Sequence, residues 1–154
     1  MTRYTRVGEA QGLLPIENIV ARESDTLARL AEKVVERPTT RTIVVLNDQG
    51  HLVGVIPINQ LVDDIFFHIV PEEFLPDKAG YEGLSKHGKE LSLTTARDIM
   101  HPPVWATAAD TIKDAFTKMR DAGLSGLPVL EGERLIGYVD VLELLAAWLR
   151  AGRL

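Results

Sequence analysis

The sequence predicts a mixed α/β (α+β) fold of two β-α-β-β-α repeats, packed with pseudo-twofold symmetry. Residues 135–145 combine a strand containing one glycine, a turn with two acids and an apolar helix, and residues 52–62 repeat this order with the same spacing from glycine to helix. Thr26 and Thr111, 85 positions apart, each stand before an amphipathic helix. A unit of this size cannot close a core alone, so we expect the two copies to pack against each other.

The composition is that of a globular protein and excludes several classes. Hydrophobic residues make up 45% and charged residues 25%, an ordinary balance. The net charge of −5 argues against a nucleic-acid partner, which usually meets a basic face. The lack of cysteine excludes a disulfide scaffold and is compatible with the cytoplasm, where we expect the protein. Residues 1–12 lack the apolar segment of a signal peptide. No apolar run approaches the roughly 20 residues of a membrane helix, so we expect no membrane insertion.

The first repeat is predicted over residues 13–70, after an N-terminal tail at 1–12 that we expect to be loose. A strand at 19–21 precedes a helix for which Ser24 and Asp25 are good N-caps and which Pro38 ends. Residues 43–46 and 52–56 form a hairpin around a polar turn. A second helix follows and is expected to stop at Pro71. Residues 71–95 are predicted to be a connecting loop, and loops of this length are usually functional or mobile.

The second repeat is predicted over residues 96–150 and follows the same order. A strand at 104–106 precedes a helix capped by Asp110 and Thr111, which Gly123 ends. Strands at 128–130 and 135–139 form the second hairpin. The last helix spans 142–150, and we expect its inward residues to be Leu144, Leu145, Trp148 and Leu149.

Three motifs carry a family resemblance. Residues 98–100 (Asp-Ile-Met) precede the second copy, 125–129 (Ser-Gly-Leu-Pro-Val) enter its hairpin and 135–139 (Leu-Ile-Gly-Tyr-Val) leave it. In this order the chain resembles a tandem pair of cystathionine-β-synthase (CBS) domains, a Bateman module. The resemblance implies a stand-alone regulatory module that binds a ligand such as AMP, ADP, ATP or S-adenosylmethionine in clefts between the repeats. It also implies a homodimer and an unknown protein target.

The family pattern places a hydroxyl three residues after the strand glycine, facing phosphate, and an acid three residues later, holding the ribose. This chain has Pro57 and Gln60 at those places in the first repeat, and Asp140 and Glu143 in the second. Glu143 could still hold a ribose, whereas Asp140 would repel a phosphate. Tight binding of a triphosphate is therefore not expected. A nucleoside, a monophosphate, another anion or no ligand at all remain open.

Because the family's clefts are crossed, each combines residues of both repeats. Cleft one is expected to contain Asn18, Ile19, Val20, Thr39, Thr40 and Arg41 together with Asp140 and Glu143. Cleft two is expected to contain Val104, Leu124, Ser125, Gly126, Leu127 and Pro128 together with Pro57 and Gln60. The Arg41 guanidinium could bind phosphate or fill the base pocket.

A structural role competes with each of these functional ones. Asp140 and Glu143 could simply cap the last helix, since acids are favoured at helix N-termini. Gly54 and Gly137 could permit close backbone packing. The four histidines show no metal-ligand pattern, and no nucleophile, base and orienting group come together, so we expect no catalysis. Two hypotheses remain, a ligand sensor and an interaction module with ligand-free clefts that dimerises and binds a protein partner.

Overall fold

The computed structural model describes residues 5–73 and 94–151. Its helices and strands follow the order of two repeats, each preceded by a short helix. The helices are α1 (Val7–Ala10), α2 (Leu27–Glu36), α3 (Ile58–Glu73), α4 (Ala96–Ile99), α5 (Ile112–Ala122) and α6 (Val141–Arg150). The strands are β1 (Ile19–Arg22), β2 (Thr42–Leu46), β3 (Leu52–Pro57), β4 (Gly126–Glu131) and β5 (Arg134–Asp140).

The two hairpins have the same pairing. In the first repeat β1 runs parallel to β2, which pairs antiparallel with β3, and in the second β4 pairs antiparallel with β5. Val45 lies opposite Gly54, and Val129 lies opposite Gly137. Each hairpin shifts register directly after that valine. This shared irregularity confirms that the predicted α/β repeats are two copies of one structural unit.

The strand predicted at 104–106 is reduced to a single bridge. Ala106 donates to the Pro128 carbonyl at 3.0 Å and accepts from the Leu130 N–H at 2.9 Å. The neighbouring residues do not extend this pairing, whereas β1 pairs over four residues. Pro102 and Pro103 lie just before this segment and have no N–H with which to lengthen a ladder.

The first helix of each repeat is capped by threonine. Thr26 Oγ1 accepts from the Arg29 N–H at 3.2 Å, and Thr111 Oγ1 accepts from the Asp114 N–H at 3.0 Å. Neither Ser24 nor Asp25 is the N-cap, contrary to prediction. The Asp25 carboxylate is engaged elsewhere, because it accepts hydrogen bonds from the Arg22 N–H and the Lys33 ammonium.

The helix after the first hairpin continues through Pro71, where we expected it to stop. α3 extends to Glu73, so Pro71 lies within its last turn. A proline in a helix removes the N–H that would bond to the carbonyl four residues before it. Here the helix ends two residues later, so this interruption affects only its last turn. The rest of the connection predicted at 71–95, up to residue 93, lies outside the described residues, as does its expected mobility.

The segment before each repeat docks on the other repeat. α1 belongs to the region expected to be a loose tail, yet Val7 and Ala10 are fully buried against the second repeat. Val7 donates to the Asp110 carbonyl at 2.8 Å. Correspondingly, Ala96 at the start of α4 donates to the Asp25 carbonyl at 2.8 Å and is buried in the first repeat. The prediction of a loose tail is wrong for this turn, because Val7 and Ala10, three residues apart, share the helix face that meets the second repeat.

The buried apolar residues form two cores, one centred on each repeat, and each core also includes residues of the short helix that precedes the other repeat. In α6 only Leu144 and Ala147, with Glu143, are buried. Leu145, Trp148 and Leu149 are 52%, 44% and 44% exposed, so the prediction that they point inward is wrong. The helix is apolar on more than one face, and only one face meets the core. Among the described helices, none is long and apolar enough to cross a membrane.

Candidate functional site

Two neighbouring cavities lie where the repeats meet, and the Arg41 side chain lines both. Cavity one has a volume of about 330 Å³ and is lined by Leu14, Pro15, Ile16, Pro38, Thr39, Arg41 and Leu142. Cavity two has a volume of about 320 Å³ and is lined by Pro38, Thr40, Arg41, Pro57, Ile58, Asn59, Gly123 and Ser125. Each cavity combines residues of both repeats.

Arg41 and Ser125 occupy equivalent points before the two hairpins. The Arg41 carbonyl accepts from the Ile58 N–H at 3.0 Å, and the Ser125 carbonyl accepts from the Val141 N–H at 2.9 Å. These bonds join the entrance of each hairpin to the helix that follows it. The Arg41 side chain is 45% exposed, and its Nε lies 3.9 Å from Asp140 Oδ1. An arginine of the first repeat thus faces a buried acid of the second across the boundary.

Asp140 is the N-cap of α6 and is fully buried. Its Oδ2 accepts from the Leu142 N–H at 2.9 Å, and its Oδ1 accepts from the Tyr138 hydroxyl at 3.3 Å. Burial raises the pKa of the Tyr138 phenol far above its ordinary value, and the charge of Asp140 raises it further. Tyr138 is therefore a neutral donor. Asp140, at the position where the family has a phosphate-facing hydroxyl, therefore caps the N-terminus of its own helix.

Glu143 is 1% exposed, and backbone groups engage both of its carboxylate oxygens. Oε1 accepts from the Asp140 N–H at 3.1 Å, which completes a capping box. Oε2 accepts from the Leu14 N–H at 3.2 Å. The carboxylate is enclosed, so a ribose hydroxyl would reach it only if the groups around it moved apart.

Gln60 holds the corresponding position in the first repeat, and its side chain is hydrogen-bonded as well, but as a donor to the backbone. Its Nε2 donates to the Ile99 carbonyl at 2.8 Å, and its Oε1 contacts the His101 ring. Pro57, the counterpart of Asp140, has no side-chain acceptor for the N–H groups at the start of α3. The first turns of the two equivalent helices therefore differ chemically.

Only part of the set expected in cleft one lines a cavity. Thr39 and Arg41 line cavity one, and Thr40 lines cavity two, although its hydroxyl donates to the Glu17 carbonyl. Ile19 is buried in the core of the first repeat. The Val20 carbonyl accepts from Lys33. Asn18 is half-buried, and its enclosed Oδ1 has no hydrogen-bond partner among the described residues.

The set expected in cleft two is divided in the same way. Ser125 and Pro57 line cavity two. Of the others, Gln60 lies on α3 of the first repeat, and the rest belong to the second repeat. Leu124 and Leu127 are buried in that core, and Val104 packs against it. The Pro128 carbonyl bonds to Ala106, and Gly126 packs against the Tyr138 ring.

Sequence reasoning missed most of the residues that line the two cavities. It assigned no site role to Leu14, Pro15, Ile16, Pro38, Leu142, Ile58, Asn59 and Gly123. The available signal was the apolar run at residues 13–16 ahead of β1, which we interpreted only as a lead-in. Among the described residues, no group of three or more histidine and acidic side chains could hold a metal ion.

Solved structures share this fold over nearly the whole chain. A CBS domain-containing protein from Thermotoga maritima is 24% identical, with a TM-score of 0.76 and coverage of 96% of each chain. The CBS-pair protein CBSX2 from Arabidopsis thaliana is 21% identical, with a TM-score of 0.71 and coverage of 98% of this chain and 99% of that one. The CBS domain pair of protein MJ0100 is 17% identical, with a TM-score of 0.65 and coverage of 98% and 99%. At these identities the likeness shows the fold alone.

A comparison with curated proteins returned no match. The family model of the CBS domain, in contrast, matches the chain twice, at residues 12–66 and 96–150. The two matches fall on the two structural repeats and together cover more than half of the chain. The chain belongs to the CBS domain family and is a tandem CBS pair.

Proposed function

We propose that this CBS pair is a regulatory module that senses an adenine-containing ligand, bound in cavity one beside Arg41. The observation that carries the proposal is the position of Arg41, which belongs to the first repeat, lines both cavities and faces Asp140 of the second. A ligand in this position contacts both repeats. CBSX2 has been solved in complex with AMP, and the MJ0100 pair with 5′-methylthioadenosine and S-adenosyl-L-methionine, which supports an adenine compound as the ligand.

The lining of cavity one suits a flat heterocycle. Leu14, Pro15, Ile16 and Leu142 offer apolar surface, and the Arg41 guanidinium can stack on a ring or donate hydrogen bonds. A volume of about 330 Å³ lies at the lower end of the range for small-molecule sites. The cavity therefore fits a ligand of nucleoside size better than a larger one.

A ligand acts as a signal only if it binds two arrangements of the module with different affinities. A ligand in cavity one can change the arrangement of the repeats because it contacts three separate parts of the chain. These are the lead-in segment at 14–16, Arg41 of the first repeat and Leu142 of α6. A bound ring would fix the distances between these three parts. We propose that a protein partner reads the resulting change in the angle between the repeats.

The test is thermal unfolding of the purified chain with AMP, ADP, ATP, adenosine or S-adenosylmethionine at millimolar concentration. A ligand that binds only the folded state adds about 2.7 kcal/mol at a hundredfold excess over its Kd. We expect at least one compound to raise the midpoint. Arg41→Gln should abolish the shift, whereas Arg134→Gln, at an exposed position in the second hairpin, should retain it. Equal midpoints with and without all five compounds would reject the proposal.

An interaction module is the second candidate, and a specific observation favours it. Glu143 and Gln60, at the family's ribose positions, are both engaged by lead-in segments. The outer apolar surface, which we define as the exposed residues of α3 and α6, supplies a contact for a second copy. Its members are Val62, Phe66, Phe67, Leu145, Trp148 and Leu149, whereas Leu142, also exposed on α6, lines cavity one. We propose a homodimer on this basis, and it is compatible with either function.

A further inference from the structure

We infer that cavity one selects adenosine derivatives that carry no phosphate, whether uncharged or cationic, over adenine nucleotides. This inference rests on the proposed function and specifies its ligand class. The complexes known for related pairs include the dianionic AMP, the uncharged 5′-methylthioadenosine and the sulfonium S-adenosyl-L-methionine. The charges around cavity one discriminate between these three.

Two buried carboxylates lie beside cavity one. Asp140 and Glu143 flank Leu142, which lines the cavity, and they are 0% and 1% exposed. The close contacts of each come from donors, namely backbone N–H groups and, for Asp140, the Tyr138 hydroxyl as well. In each of these contacts the carboxylate oxygen is the acceptor. The second repeat therefore places two negative charges beside Leu142, on one side of cavity one.

The positive charge in the same region is smaller. Arg41 is the cation among the described residues that line the cavity, and its Nε lies 3.9 Å from Asp140 Oδ1. Arg37 lies close by in sequence, but its Nε is bound to Glu17 Oε2 at 2.7 Å. The single positive charge of Arg41 thus stands against the charges of two carboxylates, and the local charge at cavity one is negative.

The N-terminus of α6 also offers a phosphate a poor binding site, because side chains of the chain itself accept its N–H groups. Free N–H groups at a helix start bind anions readily. Here Asp140 Oδ2 accepts the Leu142 N–H, and Glu143 Oε1 accepts the Asp140 N–H, so the chain supplies its own anions. A phosphate placed beside this turn would meet the like charge of two buried carboxylates, and solvent screens a buried charge less than an exposed one. An uncharged nucleoside escapes this repulsion, and a sulfonium is attracted.

The experiment measures Kd by isothermal titration calorimetry at pH 8 and low salt for adenosine, 5′-methylthioadenosine, S-adenosylmethionine and AMP. We expect the three compounds without phosphate to bind at least about tenfold more tightly than AMP, by the Coulomb term. The difference should shrink at high salt, because screening weakens interactions between charges.

Asp140→Asn tests the cause, since asparagine caps a helix as well as aspartate does. We expect it to tighten AMP binding about tenfold, as one like charge is removed, and to change adenosine binding less than threefold. Asp140→Thr provides a second capping side chain without charge. Asp48→Asn removes the same charge at the exposed turn of the first hairpin and should leave the ratio unchanged.

The outcomes separate this inference from the proposed function. AMP binding as tightly as adenosine in the wild-type chain would overturn the inference and leave the sensor intact. An unchanged ratio in both Asp140 variants, with folding verified by circular dichroism, would also overturn it. If no adenine compound binds, the proposed function fails, and the inference fails with it.

Discussion

The backbone N–H of Leu14 donates to Glu143 Oε2 at 3.2 Å, although the two residues are 129 positions apart. In the first repeat the equivalent side chain, Gln60, donates to the Ile99 carbonyl at 2.8 Å. Leu14 and Ile99 are themselves 85 positions apart, the offset that also separates the two helix caps. Each repeat thus uses the same helical position to fix the lead-in segment of the other. The positions at which the family pattern has a sugar-binding acid thus join segments of the two repeats.

Replacing Glu143 should therefore reduce stability. Glu143→Ala leaves the Leu14 and Asp140 N–H groups without acceptors, and each such loss costs about 1–3 kcal/mol. We expect the free energy of unfolding, measured in urea, to fall by about 2–4 kcal/mol. Glu133→Ala, at a position that is 84% exposed, should change it by less than about 0.5 kcal/mol. Equal effects of the two substitutions would show that Glu143 does not stabilise the fold.

Gln60 allows a test of hydrogen-bond polarity. Its amide donates to the Ile99 carbonyl, so Gln60→Glu would place a carboxylate against another acceptor. Gln60→Ala removes the donor without adding a charge. We expect Gln60→Glu to lower the free energy of unfolding at pH 8 by about 1–3 kcal/mol, and by more than Gln60→Ala. Urea denaturation of the two variants measures both free energies of unfolding. A more stable glutamate variant would mean that the amide is not the donor.

The two strand glycines should respond differently to alanine. A Cβ at Gly54 would lie 2.5 Å from Met100 Sδ and 2.9 Å from the His101 carbonyl oxygen, which belongs to the backbone. At Gly137 the added carbon would meet the end of the flexible Gln11 side chain. Overpacking against fixed atoms costs about 1–3 kcal/mol, so Gly54→Ala should destabilise more than Gly137→Ala.

Thermal unfolding of both glycine variants and of the double variant Gly137→Ala, Gln11→Ala tests the cause. We expect the second substitution to restore whatever Gly137→Ala loses, because it removes the atoms that clash. If Gly137→Ala lowers the midpoint more than Gly54→Ala does, the close approach at His101 is not the limiting contact.

The repeat and its hairpins could be predicted because their signals are local. A β-branched run, a polar turn and a strand with one glycine predict a hairpin wherever they occur. Spacing then predicted that Thr26 and Thr111 are equivalent, and both are N-caps. The crossed arrangement of Arg41 and Asp140 came from the family resemblance.

The lead-in contacts could not be predicted, because they depend on long-range packing. Residues 1–12 are mostly polar, and only the docked structure shows that Val7 and Ala10 are buried against the second repeat. The burial of Glu143 depends on the same docking through Leu14. Likewise, α6 is apolar on more than one face, so its pattern does not determine which face meets the core.

An ion pair that occurs in both repeats predicts how the free energy of unfolding changes at acid pH. Lys33 Nζ lies 2.9 Å from Asp25 Oδ2, and Lys118 Nζ lies 3.1 Å from Asp110 Oδ2. Burial favours the neutral form of each carboxyl group. The hydrogen bonds from the lysine and from a backbone N–H outweigh it, so the pKa of each aspartate lies below its ordinary value of 3.8.

Because the folded-state pKa values of Asp25 and Asp110 are lowered, the stability that each ionised carboxylate contributes is fully present above the ordinary pKa of aspartate. It is lost as the pH falls through the folded-state pKa. We expect Asp25→Asn to lower the free energy of unfolding by about 1 kcal/mol at pH 7. Its stability curve should approach that of the wild type as the pH falls through the folded-state pKa of Asp25, because both side chains are then neutral. Asp110→Asn should behave alike. A difference that stays constant from pH 7 to pH 2 would exclude the ionised pair as the cause.

The outer apolar surface predicts dimerisation. Phe67 on α3 is 79% exposed and Leu145 on α6 is 52% exposed, which is unusual for several large apolar side chains at once. We expect light scattering to give the mass of a dimer at micromolar concentration. Leu145→Glu and Phe67→Glu should each shift it towards the monomer, since a charge in the contact loses its solvation.

Val35→Glu is the matched control, because Val35 is 78% exposed but lies on α2. It adds the same charge outside the outer apolar surface and should leave the dimer intact. A wild-type chain that remains monomeric across micromolar concentrations would contradict the prediction of a dimer. A dimer that is lost in Val35→Glu and retained in the other two variants would place the contact on α2 instead. Since the cavities depend on contacts within one chain, we expect ligand binding to persist in the monomeric variants.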